Sequence, residues 1–192
     1  MLLSSQFELR DVISVVDKRP VATVPGVVAL QGAESAAIQS MLAAVAEAWS
    51  AKGLRVAGVV EDIQPGLPKA CGGAGLRNLT SGASYSLYQD LGPHSTACCL
   101  DAAGVAEACH DVVGDLKECD IVVLSKFGKL EADRGGLLQA FIDAAAMNKP
   151  VLTSVSPTFT ASYLSFVGEF GAVFPADEDV VSSWVRRTLS QT

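Results

Sequence analysis

Asp120 to Glu131 reads DIVVLSKFGKLE, and the break inside it, from an apolar run to two lysines around a glycine, decides the fold. Ile121, Val122, Val123 and Leu124 are consecutive aliphatic residues, four of the kind that a parallel sheet buries on both faces. Ser125 to Glu131 then lies at the carboxyl end of that strand. Open α/β sheets bind ligands along this edge, so Lys126, Lys129 and Glu131 are expected at the working surface.

Working outward, the same rhythm recurs on both sides. Val27–Leu30 reads as a buried strand, followed by a turn at Gly32 and a helix from an N-cap at Ser35 to about Lys52, with Ile38, Leu42, Val45, Ala46 and Trp49 along one face. Leu54–Val60 is a second strand. Leu76–Leu91 reads as a hairpin turning at Thr80–Ala83, and Asp101 caps a helix running to about Lys117. After the central strand come a helix over Leu137–Met147, a buried strand over Val151–Val155, a short helix over Thr160–Phe170, a strand over Ala172–Phe174 and a closing helix over Asp177–Leu189. Strands alternating with helices predict the α/β class: a three-layer, mostly parallel, doubly wound sheet with an inserted β-hairpin. Residues 27–192 form one domain in this reading, long enough at 49% hydrophobic content to bury a core. Residues 1–26, broken by Pro20 and Pro25, are an N-terminal arm that packs on the body or on a partner.

Charge narrows the partners. Fourteen basic residues against 21 acidic give a net charge of −7, a field that repels phosphate backbones and anionic membranes. No apolar run reaches the roughly 18 residues needed to cross a bilayer. The N-terminus has acids within its apolar part and no basic start, unlike a secretory signal. The expected setting is the cytoplasm, and the expected partner a small anion or another protein, a second copy of the chain included, rather than nucleic acid or membrane.

The turn after the first strand invites comparison with the phosphate-binding spacing GxxxxGK[ST], in which backbone amides and a lysine surround phosphates and a hydroxyl holds magnesium. From Gly32 the chain reads GAESAAIQ, so Ala37, Ile38 and Gln39 stand in place of the second glycine, the lysine and the hydroxyl. The run SKFGKLE resembles the signature DEIGKME of the THEP-type P-loop nucleoside triphosphatases, in which the two leading acids serve magnesium and the attacking water. Gly128, Lys129 and Glu131 match it, whereas Ser125 and Lys126 occupy the acidic positions.

A closer resemblance, over about Val27–Pro175, is to an uncharacterised bacterial family related to those triphosphatases, whose genes often lie beside molybdate-transport and nitrogenase genes. It is carried by Cys71, Leu76, Arg77, Leu79 and Gly82, then by Gln89–Gly92, Ser95, Cys98, Leu100 and Asp101, and finally by Lys126–Lys129, Glu131 and Pro150–Val155. Tyr88, Cys99 and Ser125 depart from the family pattern. Cys99 replaces an arginine and so removes a positive charge from that pattern.

Residues and resemblance together give the ligand-binding candidates Gly32, Ser35, Arg77, Gln89, Asp90, Lys126, Lys129 and Glu131. Arg77 is expected to share a concavity with the lysines. Cys71, Cys98 and Cys99, with His94 nearby, leave three readings open: buried small hydrophobes, a redox pair or disulfide between Cys71 and Cys98, or a soft-metal or molybdenum-oxyanion site, although no CxxC occurs. Cys109 and Cys119 read as core.

A lysine where an acid should stand turns the preference from a cation bridging phosphates to a bare anion. The resulting expectation is a P-loop-like binding or regulatory protein without a working Walker A motif, holding phosphate, a nucleotide or molybdate without magnesium. The alternative is a divergent nucleotide phosphatase using Asp90 or Glu131 as general base. Phosphoryl transfer rests on positioned positive charge and magnesium. Steady-state assays with nucleoside triphosphates and magnesium should therefore find turnover well below about one per second, the lower end of ordinary enzymes, and a rate at or above that value would contradict the reading.

Overall fold

The computed structural model describes residues 24–63, 74–87 and 100–190. Among them, seven strands form one sheet in the order β4-β3-β2-β5-β6-β1-β7, made of β1 (Val27–Gln31), β2 (Val56–Ile63), β3 (Ala74–Asn78), β4 (Ser84–Ser86), β5 (Ile121–Leu124), β6 (Val151–Ser154) and β7 (Gly171–Pro175). β2, β5, β6, β1 and β7 run parallel, while β3 and β4 extend the sheet antiparallel beyond β2. The sheet is thus mostly parallel, as expected of the α/β class and consistent with a P-loop-like fold, and the hairpin is present as its antiparallel edge.

β5 lies fourth of seven, which explains why all four of its side chains are buried. Val122 and Leu124 pack on one face of the sheet, Ile121 and Val123 on the other. The first face is covered by α2 (Ala102–Asp115), α4 (Leu138–Ala146) and α5 (Thr160–Val167), through residues such as Val105, Val112, Phe141 and Tyr163. The second is covered by α1 (Ser35–Ala51) and α6 (Glu178–Leu189), through Leu42, Trp49, Val181 and Trp184. Two apolar layers on either side of one sheet give the three-layer arrangement that the sequence rhythm predicts. A four-residue helix, α3 (Lys129–Ala132), which the sequence reading leaves as loop, follows β5.

Several helix ends follow the expected chemistry. Asp101 caps α2 by accepting from the Ala103 and Gly104 amides, and Asp177 caps α6 by accepting from Asp179 and Val180. β2 starts two residues later than expected and ends at Ile63 instead of Val60, because its extra length is paired with β3. The expected arm overlaps residues 1–23, which lie outside the described residues.

One glycine is essential to the central pairing. Gly58 of β2 has φ +125° and lies opposite Val123 of β5, where an added Cβ would come within 1.9 Å of the Val123 carbonyl oxygen. Gly58→Ala should therefore cost more than about 3 kcal/mol in urea unfolding, or prevent folding, through main-chain collision and strain together. Gly114→Ala is the control: this glycine lies in α2 with open space around it, and the exchange should be neutral or gain up to about 1 kcal/mol. Equal effects at the two positions would contradict the stated role of Gly58.

Candidate functional site

The carboxyl ends of β1, β5, β6 and β2 border two neighbouring clefts. The larger, about 640 Å3, is framed by Gly32, Ala33, Glu34 and Ser35 on one side and by Lys126 and Ser154–Pro157 on the other. Gly32 adopts φ +96°, a left-handed turn that favours glycine and lets α1 start directly above β1. Glu34, not Ser35, takes the N-cap position, with extended backbone and no side-chain capping bond. Ser35 is already the first helical residue, which corrects the sequence expectation. Helices leave their first amides unpaired along the chain, so this uncapped end of a 17-residue helix presents donors and the positive end of its dipole to the cleft.

Behind this turn, the positions that a P-loop enzyme would give to lysine and a hydroxyl are internal. Ile38 is buried in the apolar layer under α1. Gln39 is 6% exposed, and its Nε2 donates to the Ser125 carbonyl at 2.8 Å and to Ser154 Oγ at 3.1 Å, while Ser154 Oγ donates to the same carbonyl at 2.7 Å. The Ser125 carbonyl can only accept, which fixes the amide orientation and turns Gln39 Oε1 away, buried and without a partner among the described residues. The network ties α1 to the ends of β5 and β6. Sequence reasoning notes Gln39 only as a missing hydroxyl; its position beside the apolar stripe of α1 is the signal for a buried role.

Lys126 stands where the two clefts meet and lines both. Its ammonium lies 3.7 Å from Glu61 Oε1, with the two side chains 37% and 20% exposed, a loose pair of small worth. Glu61, an acid at the end of a buried strand, is missed by sequence reasoning although the rule that picks out Lys126 applies equally to it. Lys129 is exposed at the start of α3 and borders the smaller cleft.

Glu131 occupies a different role from the one expected. It is 6% exposed, and both carboxylate oxygens accept backbone bonds of 2.8 Å, Oε2 from the Gly128 amide and Oε1 from Leu137. Burial pushes its carboxyl up from the ordinary value, opposed by those amides and by Lys126. Gly136, at φ +59°, leaves room for the clamp, since a Cβ there would lie 2.2 Å from Glu131 Oε1. A carboxylate engaged at both oxygens holds a loop together and is poorly placed to take a proton as a general base.

Arg77 is not brought together with the lysines. It lies opposite Val60 on β3, and its guanidinium reaches Asp62 at 3.4 Å and Glu47 of α1 at 3.5 Å, on the α1 side of the sheet. Glu61, one residue along β2, points to the other face and takes Lys126 with it. Cys71, Gln89, Asp90, His94, Cys98 and Cys99 lie outside the described residues. Among the described residues no group of three His, Cys, Asp or Glu side chains could hold a metal. Cys109 and Cys119 are buried thiols as expected, raised in pKa by that burial.

The profile of a family described as a protein of unknown function (DUF2478) matches residues 27–184, and the chain belongs to that family. It is similar to the molybdenum import ATP-binding protein ModC 2 of Bradyrhizobium diazoefficiens, with 33% identity over 156 residues, or 80% of this chain and 17% of that protein. The chain therefore spans less than a fifth of that relative's length. No solved structure matches it. No helix among the described residues is long and apolar enough to cross a membrane.

Two consequences of the Glu131 clamp can be measured. Glu131→Ala strands the Gly128 and Leu137 amides, and urea unfolding should show a loss of about 2–4 kcal/mol, because each orphaned buried donor costs about 1–3 kcal/mol. A raised carboxyl pKa means that the folded chain holds this proton more tightly than the unfolded one. Its contribution to stability is full below the ordinary value of 4.5 and is lost as pH climbs through the folded value. Glu131→Gln should flatten that segment of the pH-stability profile, and an unchanged slope would refute the assignment.

Proposed function

We propose that this chain is a P-loop-like binding or regulatory protein that lacks a working Walker A motif and holds a small anion, without magnesium, in the larger cleft. The observation that carries the reading is Lys126: a lysine at the end of the central strand, facing the uncapped N-terminus of α1 across the cleft. Backbone amides at a helix start favour negative charge even without a lysine in the loop. Ile38 and Gln39 support the same reading from the other side, since neither side chain carries the positive charge or the hydroxyl of the P-loop spacing.

The anion classes are phosphate, a nucleotide and molybdate. Likeness to a molybdenum import ATP-binding protein supports a role in a molybdenum-related pathway and agrees with either nucleotide or molybdate as the anion. Glu34 and Glu61 oppose the anion, and Arg77 does not offset them. Affinity should accordingly fall with added salt, as for any partly exposed charge pairing.

Calorimetric titration with phosphate, sulfate, molybdate, tungstate and nucleotides tests the reading. Lys126→Ala should weaken the anion that binds by roughly 1.5–3 kcal/mol, the worth of a hydrogen bond to a charged group. Unchanged affinity in that variant would contradict the assignment.

A further inference from the structure

We infer that the two clefts form one site, built for an organic phosphate ester whose compact apolar or aromatic body lodges beyond Lys126, on the α2 side of the sheet. The anionic half of this site rests on the proposed function; the apolar half rests on the smaller cleft. That cleft, about 200 Å3, has walls of Leu76, Leu87 and Val105 from the hairpin and α2, and of Leu130, Leu137 and Phe159 from the segments after β5 and β6. Leu76 and Leu137 are each 1% exposed, and Val105 is 3% exposed. Leu130 and Phe159 are only partly buried and bring this apolar lining out to the open cleft at the ligand-binding edge of the sheet.

Lys126 and Ser156 line both clefts and form the ridge between them. A molecule crossing that ridge meets helix amides and the lysine at one end and leucines at the other. Together the volumes fall within the about 300–1,000 Å3 of ordinary small-molecule sites, whose pattern is apolar walls with few convergent polar groups. A bare oxyanion fills only the polar half. A second charge on the body would be carried in among Leu76, Leu137 and Val105, where burying it without a partner is costly.

Titration of the full chain with inorganic phosphate, phenyl phosphate and 4-carboxyphenyl phosphate separates the possibilities. Phenyl phosphate should bind at least about tenfold tighter than phosphate, from burial of the ring, and the carboxylated ring should lose that gain. Leu130→Ala, or Phe159→Ala if the former melts early, should reduce the gain severalfold while leaving inorganic phosphate binding unchanged. Equal affinity for phosphate and phenyl phosphate, or a gain that survives both variants, would overturn the inference and leave the anion site standing. Failure of every phosphate to bind would overturn this inference and the phosphate reading on which it rests.

Discussion

A buried carboxylate organises the working edge of this protein. Glu131 binds the amides of Gly128 and Leu137 at once, closing the segment between β5 and α4 into a fixed loop. Phe127, just before it, is 1% exposed and packs edge-on against Phe141 and Tyr163 and stacked on Phe166. Its amide also donates to Ser154, which carries the β5 pairing one step past the strand. With Phe127 anchored below and Glu131 clamped behind, Lys126 has little freedom but to project over the sheet edge. The charge of the cleft is thus set by packing several residues away from it.

The second constraint lies between α1 and the sheet. Gln39 and Ser154 both bond the Ser125 carbonyl, so the start of α1, the end of β5 and the end of β6 move as a unit. In a nucleotide hydrolase this junction would leave room for magnesium between a hydroxyl and an acid. Here it is closed by an amide and a serine, and the charge has moved outward to Lys126. Under the proposed reading, those exchanges would turn the site from metal-bridged phosphate to a directly held anion.

Much of this architecture is legible in the sequence. The β5 run and the apolar stripes of α1 and α6 announce themselves because buried strands and helices each impose a period on their residues. α3 is not legible, since four residues are too few to show one. Arg77 is misplaced for a sharper reason: strand residues alternate faces, and only the register with β2 shows that Arg77 falls on the α1 side with Asp62 while Glu61 goes to the other. The clamp is hidden for a related reason. Glu131 reads as a polar loop residue, and its burial depends on Gly136 and Leu137, which come together with it only in the folded loop.

Whether the cleft binds the proposed anion without a metal is the most direct test. Calorimetric titration of the unmodified chain with phosphate and with molybdate, once with a chelator and once with excess magnesium, addresses it without mutation. The account predicts one affinity under both conditions, because Lys126 and the α1 amides supply all the positive charge. Binding that emerges only when magnesium is present would contradict it.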